Sequence, residues 1–224
     1  MIYITGDTHA DLDEMVSRKF PDPSEMSSDD YIIVTGDFGF VGESFEKRKK
    51  LKDLSAYFSN CKILFVCGNH EDFPYLNSFG VSEWNGGKVR IINDNVIYLM
   101  RGQIFTINGK KIFTMGGAYS HDGPFRLEWY PKEEQPSLKE YDDAHINLIA
   151  NDNKVDYIIT HTIPKSFLGY IGKTSYPEEN HFLGFLDNVY RNVSFDRWFA
   201  GHYHIDKELL GGKITIVSEK VIVI

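Results

Sequence analysis

Gly68-Asn69-His70-Glu71 follows the apolar run Lys62-Ile63-Leu64-Phe65-Val66-Cys67 and leads into Asp72-Phe73-Pro74. A short β-branched and aromatic run that ends in Gly and Asn predicts a buried strand stopping in a sharp turn. An amide, an imidazole and a carboxylate are then presented together at the strand's end, where open α/β sheets collect ligands. Alone, the four residues are equally an Asn-containing turn followed by a solvated His. The flanking sequence separates these readings, because the same kind of strand end recurs.

Upstream, a strand over residues 31–35 ends at Gly36-Asp37-Phe38-Gly39-Phe40, and one over residues 1–5 ends at Gly6-Asp7-Thr8-His9-Ala10-Asp11. Asp7, Thr8 and Asp11 are candidate caps for a helix through Leu12, Met15 and Val16. Residues 20–30, rich in Pro, Ser and Asp, are loop. Residues 44–59 form a helix whose basic run Lys47-Arg48-Lys49-Lys50, preceded by Glu43 and Glu46, reads as a solvated face. Downstream, strands over 154–159 and 194–200 end at Thr160-His161-Thr162 and Gly201-His202-Tyr203-His204.

Between these halves the pattern changes from helical crossovers to hairpins. Short strands are expected at 88–92, 96–101, 103–107 and 111–115, with turns at Asn93-Asp94-Asn95 and at Asn108-Gly109, a strong hairpin signal. Residues 116–136 are irregular, and an irregular stretch of that length is a functional lid or a surface loop pinned by its aromatics, Phe125, Trp129 and Tyr130. A helix follows over 137–151 with Leu138, Tyr141, Ile146 and Ile149 inward. Residues 164–180 read as loop, 181–192 as helix, and 205–224 as a closing meander around Gly211-Gly212. No internal repeat or linker divides the chain, so residues 1–224 are expected to form one domain.

Composition narrows the function. Of 224 residues, 42% are hydrophobic and 25% charged, ordinary globular values, and the net charge is −8. That balance argues against a broad basic face for duplex nucleic acid, but a site dominated by bound cations still accepts small anions. Cys61 and Cys67 flank one strand at roughly 20 Å, too far for a disulfide. No apolar run approaches the length of a membrane span, and Met1 leads straight into a strand without a basic leader. A cytoplasmic location is the expectation; the oligomeric state is left open.

Five of the eight histidines closely follow predicted strands. Taken with the acids and the amide beside them, the strand ends supply Asp7, His9, Asp37, Asn69, His70, His161, His202 and His204. Carboxylates with imidazoles suit Mn²⁺, Fe, Zn²⁺ or Ni²⁺ better than Ca²⁺. Two acids, one amide and four histidines exceed what one ion takes, whereas two ions sharing a carboxylate use them all.

In this order, Asp7-Thr8-His9, Gly36-Asp37, Gly68-Asn69-His70-Glu71, Thr160-His161 and Gly201-His202-Tyr203-His204, the chain resembles the calcineurin-like metallophosphoesterase superfamily. The resemblance covers nearly the whole sequence. Trp84-Asn85-Gly86-Gly87-Lys88, Leu99-Met100-Arg101-Gly102-Gln103 and Gly116-Gly117-Ala118 narrow it to small bacterial and phage members. It implies an α/β (α+β) fold, a four-layer αββα sandwich of two mixed sheets flanked by helices. It also implies two divalent ions, Mn²⁺ foremost, the first held by Asp7, His9, Asp37 and His204. The second would be held by Asp37, Asn69, His161 and His202, with Asp37 bridging. His70 matches the family's non-ligand histidine, which hydrogen-bonds the phosphate and protonates the leaving oxygen.

The implied activity is hydrolysis of phosphomonoesters or phosphodiesters, small nucleotides among them. A nuclease for short single strands and a non-catalytic metal-bearing scaffold are the alternatives. Paired ions acidify a water and clamp the phosphoryl oxygens during in-line attack. A histidine titrating near neutrality then assists the alkoxide's departure. The resemblance stops at Gly36-Asp37-Phe38-Gly39-Phe40-Val41-Gly42, where Phe40 and Val41 stand in place of the acid and arginine of the protein phosphatases. Arg101 and Arg126 are the candidates to replace that phosphate-gripping arginine. Glu71 has two open roles, orienting His70 or capping the segment that follows.

Overall fold

The computed structural model describes residues 1–121, 123–125 and 129–224. Its first six strands are β1 (Ile2–Thr5), β2 (Tyr31–Val34), β3 (Lys62–Phe65), β4 (Val81–Trp84), β5 (Gly87–Ile91) and β6 (Val96–Leu99). The other seven are β7 (Gln103–Ile107), β8 (Lys110–Met115), β9 (Tyr157–Thr160), β10 (Arg197–Ala200), β11 (Lys207–Leu209), β12 (Ile214–Ile216) and β13 (Ile222–Val223). Helices α1 (Leu12–Ser17), α2 (Phe45–Tyr57), α3 (Phe73–Ser78), α4 (Leu138–Ala150) and α5 (Asn180–Asn192) alternate with them.

Two mixed sheets result, ordered β13-β1-β2-β3-β6-β5-β4 and β11-β12-β10-β9-β8-β7. The central strands β1, β2, β3 and β6 run parallel, as do β8, β9, β10 and β12. These central strands are nearly continuous apolar runs because both of their faces are covered. Ile2, Ile4, Ile33, Leu64 and Val66 of the first sheet meet Phe105, Ile112, Ile159 and Phe199 of the second to form the layer between the sheets. On the outer face of the first sheet, Ile32, Val34, Ile63 and Phe65 pack with Met15 of α1, Leu54 of α2 and Leu76 of α3. Phe113, Met115, Ile158 and Trp198 of the second sheet pack with Ala144 and Leu148 of α4 and Leu183 and Leu186 of α5. The order of layers is therefore helix, sheet, sheet, helix.

Local chemistry accounts for the boundaries. Ser44 caps α2, and Ser137 with Glu140 forms a full capping box at α4. Asn108 and Gly109 both take positive φ, +50° and +74°, as a two-residue turn of the β7–β8 hairpin requires. Asn85-Gly86 does the same between β4 and β5, a second Asn-Gly hairpin that the sequence offered and the expectations above omit, along with α3.

Two expectations are corrected. Leu138, Ile146 and Ile149 of α4 face solvent, while Tyr141, Ala144 and Leu148 face the core. The chain does not close as a meander either: β13 leaves the second sheet and pairs antiparallel with β1 of the first. Both cysteines are free and buried. Among the described residues, no helix is long and apolar enough to cross a membrane.

Candidate metal centre

β1, β2 and β3 are neighbours in one sheet, and β9 and β10 are neighbours in the other, with each set running parallel. The loops leaving their carboxyl ends therefore converge. The Nδ1 of His161, after β9, donates to the Thr35 carbonyl after β2 at 2.8 Å. The backbone N–H of His202, after β10, donates to Asp7 Oδ1 after β1 at 2.8 Å. These two bonds fasten the sheets together at their loop ends.

Asp37 is the hub. Its Oδ1 accepts from the backbone N–H groups of Asn69 and His70 at 2.9 and 2.8 Å, which leaves Oδ2 facing the histidines. His161 Nε2 lies 3.3 Å from Oδ2, and His9 Nε2 3.7 Å. Gly68 permits this approach, since a Cβ there would sit 2.0 Å from Asp37 Oδ1 and 2.3 Å from Asp37 N. Gly36, at φ +105°, likewise admits the His161 ring, which a Cβ would meet at 2.2 Å.

Among the described residues, two side-chain groups have the geometry to hold a cation. Asp7, His9 and His204 bring one ligand atom each to within 4.8 Å of one another, and Asp37, His161 and His202 do the same. In the first group His9 Nε2 and His204 Nε2 are 3.3 Å apart on stacked rings. Asp7 Oδ2 beside them is buried and has no hydrogen-bond partner. A buried carboxylate oxygen left in that condition is costly unless a cation offsets it. In the second group, His161 Nδ1 carries the proton given to Thr35, so the neutral imidazole presents a lone pair at Nε2. That lone pair faces Asn69 Oδ1 at 3.1 Å and Asp37 Oδ2 at 3.3 Å. Three acceptors around one point need a proton or a metal between them, so the donor set fits divalent ions.

The titration behaviour of the metal-free protein reflects that crowding. Burial alone would lower His161, but the Asp37 carboxylate outweighs it and lifts the imidazole to about 9. Asp37 itself is held well below the usual carboxylate range, because His161 overcomes a large burial penalty. Burial raises Asp7 to about 6, partly opposed by His161. Burial lowers His202 far below the ordinary imidazole value, with His161 adding to the effect, and also lowers His9.

His70 is half-buried next to the cluster, its ring edge-to-face with His9 at 5.3 Å. On the side of His202 and His204, a cleft of about 320 Å³ is lined by these two residues with His121, Lys173, Tyr176 and Tyr203. A larger hollow of about 680 Å³ lies between α2 and residues 92–95, away from the histidines.

Glu71 has neither expected role. Its buried carboxylate accepts the N–H groups of Phe38 (2.9 Å), Gly39 (3.2 Å) and Gly68 (3.2 Å), tying the loop after β2 to the loop after β3. Arg101, expected as a phosphate contact, is engaged with backbone in this structure. It is 5% exposed and donates to the carbonyls of Gly116, Glu133, Glu134 and Gln135, with Glu140 beside it. Arg126 lies outside the described residues. Phe40 and Val41 are fully enclosed in the outer core of the first sheet, so no anion-gripping side chain is offered from those positions. The sequence reading also passed over Ser120 and Glu134, which prove to be buried next to Asn69.

The family model of calcineurin-like phosphoesterases matches residues 1–206, and the chain belongs to that family. No curated protein matches the chain by sequence. Among solved structures it is similar to a candidate 5′-nucleotidase from Staphylococcus aureus in complex with alpha-ketoglutarate. That match has 13% identity and a TM-score of 0.47, and covers 97% of this chain and 48% of the other. This chain thus spans about half of that protein's length. It is also similar to phosphopantetheinyl hydrolase from Mycobacterium tuberculosis, at 17% identity, TM-score 0.42, and 97% and 87% coverage. A third is the anchor in the inner membrane complex of Plasmodium, at 13% identity, TM-score 0.49, and 98% and 70% coverage.

Proposed function

We propose that residues 1–224 act as one domain that hydrolyses small phosphomonoesters or phosphodiesters, nucleotides included, at a dinuclear centre. Asp7, His9, Asp37 and His204 would hold one ion, and Asp37, Asn69, His161 and His202 the other, with Mn²⁺ the first choice of metal. The observation that carries this reading is the position of Asp37 Oδ2, within 3.7 Å of His9 in one group and 3.3 Å of His161 in the other. One carboxylate oxygen thus serves both groups. Divalent ions held there supply Lewis acidity to the phosphoryl oxygens and acidify water for attack.

The chain's own residues do the rest. Asn69 contributes an oxygen without charge, which keeps the loaded site attractive to an anion. Asp37 Oδ1 fixes the backbone of His70, whose imidazole lies against His9 and would meet the leaving oxygen there. From there His70 donates a proton to that oxygen, a contribution of roughly 10²–10⁴-fold. Lys173 and the paired His121 and Tyr176 rings, with centroids 4.0 Å apart, border the cleft that would receive the rest of the substrate.

Purified protein supplied with Mn²⁺ is expected to cleave a nitrophenyl phosphomonoester or diester reporter. Asp37→Asn should abolish the activity, and His70→Asn should lower kcat at least 100-fold on an ester with a poor leaving group. Wild-type protein inert on both reporters with each of Mn²⁺, Zn²⁺, Ni²⁺ and Fe²⁺ would overturn the proposal, as would an unchanged rate in His70→Asn.

A further inference from the structure

An asparagine amide has the same shape whichever way it faces, yet only its oxygen ligates a metal. Asn69 Oδ1 faces His161 Nε2 at 3.1 Å, and Nδ2 points the other way, to Ser120 Oγ at 2.9 Å. A serine hydroxyl could itself point its proton toward Asn69 and so favour the opposite amide orientation. Glu134 prevents that. Its Oε1 accepts from Ser120 Oγ at 2.9 Å, and its Oε2 accepts from the Ser120 backbone N–H at 3.2 Å. Since a carboxylate only accepts, the hydroxyl proton goes to Glu134, and Oγ accepts from the Asn69 amide N–H.

Glu134 is in turn held by the buried Arg101. Its Nη2 donates to the carbonyls of Glu133 and Glu134 at 2.8 and 2.9 Å, its Nη1 to Gln135 at 3.1 Å, and its Nε to Gly116 at 3.0 Å. One guanidinium therefore fixes both ends of the 116–135 stretch. Glu134 is 1% exposed and so is Ser120. A carboxylate buried this deeply would be costly without partners, and Ser120 supplies two.

We infer that Glu134 and Ser120 are positioning residues for the metal centre: they set the polarity of the Asn69 amide so that its oxygen, not its nitrogen, faces the second ion. This rests on the dinuclear reading above. It gives Ser120 and Glu134 of this irregular stretch a role at the site, since they carry the hydrogen bonds that make Asn69 a ligand.

The isosteric variant Glu134→Gln is the sharpest test. The Ser120 backbone N–H is a fixed donor, so the Gln oxygen takes that place and the Gln NH₂ donates to Ser120 Oγ. The hydroxyl proton is then turned toward Asn69, which favours the flipped amide. Mn²⁺ binding is measured by titration calorimetry together with the paramagnetic resonance signal of coupled ions. In Glu134→Gln the weaker of two Mn²⁺ sites should lose about 10–100-fold in affinity, the usual cost of disturbing a ligand's outer partner. The tighter site should stay within about threefold of wild type, and the coupled signal should vanish at limiting metal.

Excess Mn²⁺ should restore kcat. Ser120→Ala should reproduce the effect, and the double variant should lose no more than either single one, because all act through one amide. Should Glu134→Gln fail to fold, Ser120→Ala alone decides, since it removes only a hydroxyl. Both sites unchanged in the variants would overturn the inference, as would equal weakening of both sites with a matching fall in thermal stability. Wild-type protein that binds fewer than two ions would instead defeat the dinuclear reading, and that result is read before any variant is made.

Discussion

Glu71→Gln isolates how much the site depends on backbone held by a buried side chain. The Glu71 carboxylate accepts three N–H groups: Phe38 and Gly68 on Oε1, and Gly39 on Oε2. Glutamine is the same size but has one acceptor oxygen. With that oxygen on Phe38 and Gly68, the NH₂ group opposes the Gly39 N–H, and one buried donor loses its partner. A hydrogen bond to a charged group contributes about 1.5–3 kcal/mol, and an unsatisfied buried donor costs a similar amount, so the variant should be less stable by about 2 kcal/mol. For a chain of this size that is a fall in Tm of about 4–8 °C. Urea unfolding of the metal-free protein gives the free energy, and hydrogen exchange at Gly39 should accelerate relative to Phe38. A change below about 0.5 kcal/mol, with Gly39 still protected, would refute the assignment of Glu71 as the tie between the two loops.

Other consequences are more direct. Leu148→Ala should cost about 2–5 kcal/mol in urea unfolding, whereas Ile146→Ala, on the opposite face of α4, should stay within about 0.5 kcal/mol; the reverse order would mean that the inward face is wrong. Gly68→Ala forces a Cβ into Asp37 and should weaken Mn²⁺ binding about 10–100-fold by calorimetry, with wild-type affinity counting against the close packing described. Asp143 is held below its usual value of 3.8 by its bond to Lys139 and, against some burial, by Lys88. A carboxylate depressed in the folded state stabilises above its unfolded pKa and loses that contribution as pH falls through the folded one. Asp143→Asn should therefore flatten the acid limb of stability below pH about 4, and 1 M salt should shrink the difference; an unchanged limb would exclude the pairing as a contributor.

The parts that could be read from the sequence were those written locally. Strands covered on both faces leave apolar runs, and each functional loop opens with a small or polar residue just after such a run, so the places of Asp7, Asp37, Asn69, His161 and His202 along the chain were visible before their proximity was. The four-layer arrangement followed from the family resemblance, and the switch from crossovers to hairpins agreed with it. What was lost depended on distance or on residue size. In α4 the inward positions are Tyr141, Ala144 and Leu148, and a search weighted toward large apolar side chains prefers Ile146 and Ile149 over a buried alanine. β13 is a plausible strand by composition, but its partner β1 lies at the other end of the chain. Read from sequence alone, Glu71 is given the wrong partners and Glu134 none, because the Phe38 and Gly39 amides and the Ser120 hydroxyl they serve come from elsewhere in the chain. Arg101 looked like an anion binder for the same reason: nothing in its neighbours reveals that four carbonyls from residues 116 and 133–135 await it.

Those buried charges share a purpose that the backbone makes plain. Asp7, His9, Ala10, Asp37, His202 and His204 all have positive φ, between +44° and +72°. For residues with a Cβ this conformation costs on the order of 1–3 kcal/mol each, and it persists only where the surroundings over-determine it. The surroundings here are hydrogen bonds from buried side chains to main chain. Arg18 holds the Gly6 carbonyl at 2.7 Å, beneath the loop of Asp7 and His9. Glu71 holds the amides that follow Asp37, and Asp7 Oδ1 holds that of His202. Each of the three strained loops is thus fixed by a polar group that binds backbone, and Asp7 and Asp37 do so with one carboxylate oxygen while the other is turned to the centre. A site built this way reaches its geometry on folding, ahead of any ion, and metal binding then needs little rearrangement of the chain. Loss of a holding group should accordingly appear first as instability of the metal-free protein and only second as weaker metal affinity, the order in which Glu71→Gln is to be measured.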